Sequence, residues 1–113
     1  MGDCIFCKIA NGQIPTDKVY EDEFVTAFKD LNPQAPIHIL VVPKKHYENV
    51  LSVNDNDPII SKIYSSINKI AEKENFANDG FRVITNCGKD AGQTVMHLHF
   101  HLLAGKKLGE KII

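Results

Sequence analysis

An excess of charge of either sign is missing from this sequence: thirteen lysines and arginines stand against fourteen aspartates and glutamates, for a net charge of −1. That balance leaves no electrostatic footprint for a nucleic acid polymer or an anionic membrane surface. Also missing are an apolar run long enough to span a bilayer and a charged-then-apolar leader at the N-terminus. A cytoplasmic location is therefore expected, in a compartment where disulfides are uncommon. The cysteines are few and odd in number, three in all, which fits that compartment and leaves Cys4 and Cys7 free for another role. No internal repeat, low-complexity tract or linker divides the chain. At 113 residues, 43% hydrophobic and 24% charged, a single domain over 1–113 is expected, large enough to bury a core without staples.

What is present reads as short strands around one long helix. A short helix is expected from Cys4 to Ala10, ending near Gly12. Val19-Tyr20-Glu21 and Phe24 to Lys29 are strand-like runs joined by Asp22-Glu23, as in a hairpin. Two prolines make the stretch from Asn32 to Pro36 a turn or extended loop. Ile37 to Val42, rich in β-branched residues and bounded by prolines, reads as a buried strand. The long helix starts at Asp57 as N-cap with Pro58 in the first helical position. Ile60, Ile63, Tyr64, Ile67, Ile70 and Ala71 then recur at helical spacing toward an end near Asn75. Phe81 to Thr85 is a further strand. Short strands with hairpin-length connections imply an α+β fold with a mainly antiparallel sheet.

The densest chemistry lies in His97-Leu98-His99-Phe100-His101-Leu102-Leu103, which holds three of the chain's five histidines. Strict polar/apolar alternation reads as a strand over residues 95–103, followed by a short tail over 104–113. Leu98, Phe100 and Leu102 would enter the core, and the three imidazoles would line the opposite face. Neighbouring imidazoles there would be roughly 6.5–7 Å apart at the Cα. One reading makes an imidazole the nucleophile, most naturally on phosphorus, with a second imidazole as proton donor. A rival reading has two of the histidines chelate a metal that activates water.

The segment before this strand favours phosphate. Gly88, Gly92 and Gly92-Gln93-Thr94-Val95 make a small-residue loop running directly into the histidines. Backbone amides in such a loop can form an anion-binding nest, to which Thr94 adds a hydroxyl. Cys4-x-x-Cys7 is separately a two-thiolate half-site with spacing suited to tetrahedral zinc, or to redox chemistry. Blander roles fit several residues: core packing for Phe6, Ile9, Phe28 and Leu31, turn capping for Asp30, and solvation for Lys44 and Lys45. His38 alone would be a structural histidine, and Cys87 a small hydrophobe or loop residue.

Taken together, Cys4-Ile5-Phe6-Cys7-Lys8-Ile9, Asp30, Gln34-Ala35-Pro36-Ile37-His38, Val42-Pro43-Lys44-Lys45-His46, Asn86 and Gly92 to His101 resemble the histidine triad (HIT) family. The nearest resemblance is to its Hint branch of purine nucleoside phosphoramidases. The resemblance implies a five-stranded antiparallel sheet continued across a homodimer, and cleavage between the α-phosphorus of a purine nucleoside monophosphate and its leaving group. His99 would be the nucleophile, His101 would contact the α-phosphate and the leaving atom, and His38 would support them. Transferase relatives carry glutamine at the position of His101, so hydrolysis is implied. Thr94 stands where the branch usually has serine. Asn86, Gly92, Gln93, Thr94 and Val95 would surround the phosphate, Asp30 would bind the ribose hydroxyls, and Phe6, Ile9, Phe28 and Leu31 would form the nucleobase slot.

Some similar HIT proteins hold structural zinc at positions matching Cys4, Cys7, His46 and His97. Zinc here would staple the N-terminal segment to the sheet and leave His99 and His101 for phosphorus; no organic cofactor is implied. The tail Gly105 to Ile113 departs from the branch, since it lacks the tryptophan often found there. Two rivals remain at this point: a zinc-dependent hydrolase using the strand histidines, and a nucleotide-binding or scaffold protein with residual catalysis.

Overall fold

Five β-branched or aromatic-rich segments pair into one antiparallel sheet in a computed structural model that describes residues 3–113. They are β1 (Lys18–Glu21), β2 (Val25–Lys29), β3 (Ile37–Pro43), β4 (Arg82–Ile84) and β5 (Phe100–Ala104), arranged in the order β1-β2-β3-β5-β4. Two α-helices accompany them, α1 (Ile5–Ala10) and α2 (Ile59–Lys73), with short 3₁₀ turns at Val50–Ser52 and Lys89–Ala91. The fold is α+β, as expected. The two 3₁₀ turns are too short to leave a periodic signal in the sequence.

Strand alternation sorts the sheet into two faces. Val25, Ala27, Ile39, Val41, Phe100 and Leu102 pack against Ile59, Ile63, Ile67, Ile70 and Ala71 of α2. Asp57 starts that helix by accepting the Ile59 amide at 2.9 Å. Asn75, at φ 64, turns the chain out of it. The other face carries Phe28, Leu40 and Val42 beneath Phe6, Ile9 and Ala10 of α1. By the same alternation His38 joins Leu40 and Val42 on this second face, as does His101, flanked by the inward Phe100 and Leu102. Gly105 ends β5 at φ +90, where an added Cβ would lie 2.9 Å from the Pro36 side chain.

One expectation needs correction. The histidine strand does not run over 95–103; regular pairing begins only at Phe100. Val41 pairs with Phe100, so continuing the same register would set Leu98 opposite Pro43. Proline has no amide to donate, and the Pro43 carbonyl is taken by His97 Nε2 at 2.9 Å. The chain leaves the ladder there, and the Leu98 amide bonds to the Tyr47 carbonyl instead, at 2.7 Å. Leu98, Phe100 and Leu102 still reach the core. The three imidazoles still lie on the α1 side, Phe6 packing edge-on against both His97 and His99 and His101 adjoining His99.

Candidate active site

His97 and His99 both pack edge-on against Phe6, but His97 reaches Cys4 and Cys7 at the start of α1 while His99 adjoins His101. His97 is fully buried, and its Nε2–H donates to a carbonyl, which can only accept. The lone pair of the neutral ring is thereby placed on Nδ1, and burial favours that neutral form. Nδ1 lies 3.3 Å from Cys4 Sγ and 3.4 Å from Cys7 Sγ, while His46 Nδ1 lies 3.2 Å from Cys7 Sγ. All four donor atoms fall within 4.8 Å of one another. Tetrahedral zinc with Zn–S near 2.3 Å and Zn–N near 2.05 Å has S···N edges of roughly 3.5 Å, so the donor set fits this ion. The carbonyl behind His97 is the outer-shell partner such a ligand uses. The Cys7 thiol is pushed up to about 11 by burial and by Cys4 beside it. Two adjacent thiols resist joint ionisation unless a cation sits between them.

His99 has the opposite tautomer. Its Nδ1 donates to the His97 carbonyl at 2.7 Å, which leaves the lone pair on Nε2. Phe6 packs edge-on against this ring at 5.0 Å between centroids, and the His101 ring lies 5.2 Å away on another side. The His99 backbone carbonyl accepts the Thr85 hydroxyl at 2.8 Å. Thr85, Tyr47 and Pro43 thus fix the segment that carries His97 and His99, and none of them was anticipated. Two act through backbone carbonyls, which every residue type possesses, so no residue pattern could have marked them.

His38 and His101 form a directed chain. They sit diagonally on neighbouring strands, since Leu40 pairs with His101 and His38 with Leu103. Diagonal positions lie within reach of aromatic-sized side chains. The Gln34 amide donates to His38 Nδ1 at 3.1 Å, so the His38 proton resides on Nε2. That Nε2 lies 2.9 Å from His101 Nδ1 and 3.3 Å from Asp30 Oδ2. His101 Nδ1 then accepts, and its own proton is on Nε2. Burial, with help from His99 and His38, pushes His101 down to about 4, against the opposing pull of Asp30. His38 is held below its usual value by burial, again against Asp30. Although Asp30, His38 and His101 also cluster tightly, His38 offers a metal no lone pair, because Gln34 occupies one nitrogen and a proton the other. The cysteine sulfurs and His97 present electron pairs; the His38 chain presents protons.

The remaining expected residues separate by burial and bonding. Phe6, Ile9 and Phe28 are buried together, whereas Leu31 is 91% exposed, so its expected place in the core is corrected. Leu31 sits in the turn after β2, beyond the cover of α1. Asp30 does cap that turn, accepting the Asn32 amide at 2.8 Å. The Gln93 side chain is buried and engaged by its own loop, accepting from the Gly88 amide and donating to the Glu48 and Val95 carbonyls. The amides of Gly92 and Gln93 bond back to Lys89 and Gly88. Those of Thr94 and Val95 find no protein acceptor among the described residues, which is what an anion-binding nest requires. Thr94 is exposed, and Asn86 lies half-buried just before the Gly88 turn.

An imidazole with a free Nε2 lone pair thus stands beside a second imidazole with an Nε2 proton. The HIT domain profile matches residues 11–108, and the chain belongs to the HIT family. It is 44% identical to the purine nucleoside phosphoramidase of Escherichia coli strain K12 over 108 residues, covering 95% of this chain and 91% of that one. It is 42% identical to protein HitA of Neisseria gonorrhoeae, covering 91% and 96%. Among solved structures, a histidine triad protein from Clostridium difficile superposes with a TM-score of 0.95 at 61% identity, covering 98% and 97%. A HIT family hydrolase from Clostridium thermocellum superposes at 0.96 with 49% identity, covering 100% and 99%. No helix among the described residues is long and apolar enough to cross a membrane.

Proposed function

We propose that this hydrolase cleaves the P–N bond of purine nucleoside 5′-phosphoramidates, and acyl-nucleotides by the same route, through a covalent nucleotidyl intermediate on His99. The observation that carries this reading is the pair of opposed tautomers: a lone pair on His99 Nε2 and a proton on His101 Nε2, with the rings 5.2 Å apart. In the first step His99 Nε2 forms a bond to the α-phosphorus, the P–N bond breaks, and the leaving amine takes a proton through His101 Nε2. In the second, a water attacks the phosphorus, its proton returns through His101, and the bond to His99 breaks to release the nucleoside monophosphate. The free amides of Thr94 and Val95, the Thr94 hydroxyl and Asn86 hold the phosphate oxygens within the loop braced by Gly92 and Gln93. Phe6, Ile9, Phe28 and Leu31 form the base slot, and Asp30 receives the ribose hydroxyls. The similarity to the E. coli purine nucleoside phosphoramidase supports this substrate class.

Cys4, Cys7, His46 and His97 hold a structural zinc ion in this reading. When bound, it supplies a cross-link between α1 and the segment that carries the nucleophile. The protein works in the cytoplasm as a homodimer, its sheet continued from one protomer to its partner.

The test is hydrolysis of adenosine 5′-phosphoramidate by the purified protein in excess chelator, beside His99→Ala. Turnover that survives chelation and disappears in the mutant is expected. Turnover lost to chelation from a protein that stays folded would instead establish a catalytic metal. A folded protein that binds nucleotide without turnover would establish a binding module.

A further inference from the structure

The leaving amine must receive a proton, yet the neutral tautomers described above do not supply one freely. If His101 gave up its Nε2 proton from the neutral ring, an imidazolate would remain, a species far too basic to persist at pH 7. The His38–His101 pair therefore needs one proton beyond its neutral complement. Its geometry restricts where that proton can go. His38 Nδ1 faces the Gln34 amide and cannot accept one. His101 Nδ1 can accept it only if the His38 Nε2 proton, which now points at it from 2.9 Å, turns elsewhere. The other acceptor within reach is Asp30 Oδ2, 3.3 Å from the same nitrogen.

We propose that Asp30 is the counter-ion and alternate acceptor of the His38–His101 pair, a positioning residue that lets this pair hold the proton the leaving group must receive. The inference rests on the His99-nucleophile reading above and gives Asp30 a second role beside its contact with ribose. The carboxylate is built for this. Its Oδ1 is fixed by the Asn32 amide at 2.8 Å, and the Asp30 amide donates to the His38 carbonyl at 3.0 Å, which aims Oδ2 at the ring.

The other groups near the pair are few. His99 approaches His101 from the segment before β5. Lys29 of β2 and Glu74 at the end of α2 line a cavity of about 230 Å³ with Asp30 and His38, and Lys29 is itself paired with Asp17 at 3.5 Å. In the free protein, burial and the neighbouring rings keep His101 neutral while Asp30 alone opposes them. A bound phosphate anion adds the second negative charge, so the extra proton is taken up as the nucleotide binds. The proton count then closes. The pair gives this proton to the amine in the first step and regains one from the attacking water in the second.

The experiment compares the unmutated protein with Asp30→Asn, which keeps an acceptor for Asn32 and for ribose but removes the charge. Three substrates are used: adenosine 5′-phosphoramidate, its 2′,3′-dideoxy analogue, and the p-nitrophenyl ester of adenosine monophosphate, whose leaving group departs as an anion. A kcat loss of about tenfold or more on both phosphoramidates is expected, in the range of a general acid–base contribution. The p-nitrophenyl ester, which shares the ribose contact, should lose kcat by a clearly smaller factor than the ribose phosphoramidate. An equal loss on the ribose phosphoramidate and the ester, with the dideoxy substrate spared, would show that Asp30 acts only through ribose and overturn the proposal.

Binding of adenosine monophosphate at pH 8 gives a readout that needs no turnover. Calorimetry in two buffers of different ionisation enthalpy should show proton uptake by the unmutated protein, and less by Asp30→Asn. Equal uptake by both would overturn the proposal. Failure of the unmutated protein to cleave any of the three substrates while showing Asp30-dependent uptake would overturn the catalytic reading and leave the counter-ion role standing.

Discussion

His99 donates its Nδ1 proton to the backbone carbonyl of His97, two residues earlier, at 2.7 Å, while the ring of His97 itself turns away toward Cys4 and Cys7. One residue therefore serves two sites: its side chain completes a thiol–imidazole cluster, and its main chain sets the tautomer of His99. The consequences can be measured separately.

Replacing His99 with alanine removes the Nε2 lone pair to which the proposed mechanism assigns the attack, and should leave the sheet intact. Turnover of adenosine 5′-phosphoramidate should fall by at least about 10⁴-fold, the scale seen when a covalent nucleophile is deleted. Circular dichroism should be unchanged. Near-normal turnover would remove His99 from the mechanism.

Thr85→Val deletes the hydroxyl that caps the His99 carbonyl at 2.8 Å. The unpaired carbonyl should cost roughly 1–3 kcal/mol, read as a lower urea midpoint with an unchanged m-value. Turnover should fall as well, since the segment carrying His99 loses one of its anchors. Thr85→Ser, which restores the hydroxyl, should recover both.

Cys4→Ser combined with Cys7→Ser should abolish stoichiometric zinc while leaving covalent catalysis in place. A folded state that binds an ion a thousandfold above its dissociation constant gains about 4 kcal/mol, so the double mutant should melt at lower temperature and no longer respond to chelator. Metal analysis of the unmutated protein showing no zinc would refute the site.

Stability should also depend on pH in a set direction. His101 is held neutral down to about 4 in the fold, against 6.5 for the free side chain, with burial the first cause. Between these values the unfolded chain binds more protons, so stability falls as pH drops from about 6.5 toward 4. His38 and His97, also depressed mainly by burial, act in the same sense. Chelator-treated protein should show this slope in its melting temperature, and His101→Asn should flatten it.

Much of this was legible before any coordinates. The Asp57-Pro58 start of α2 and its helical spacing, the β-branched run of β3, and the alternation that buries Leu98, Phe100 and Leu102 are all local patterns, and the structure follows them. The clustering of Cys4, Cys7, His46 and His97 came from the resemblance; the cysteine spacing alone supplied half of it. The exposed position of Leu31 escaped notice because exposure depends on where α1 stops covering the sheet. The late start of the histidine strand escaped because it depends on which β3 residue falls opposite Leu98.

By itself, then, the sequence determined which chemical groups this protein has and which segments form helix or strand, since periodicity and capping act over a few residues. Only the tertiary structure decided which nitrogen of each histidine carries its proton. His97 answers to the Pro43 carbonyl, His99 to the carbonyl of His97, and His38 to the Gln34 amide. Backbone donors and acceptors are the same for nearly every residue type, so their effect on an imidazole depends on packing rather than on residue identity.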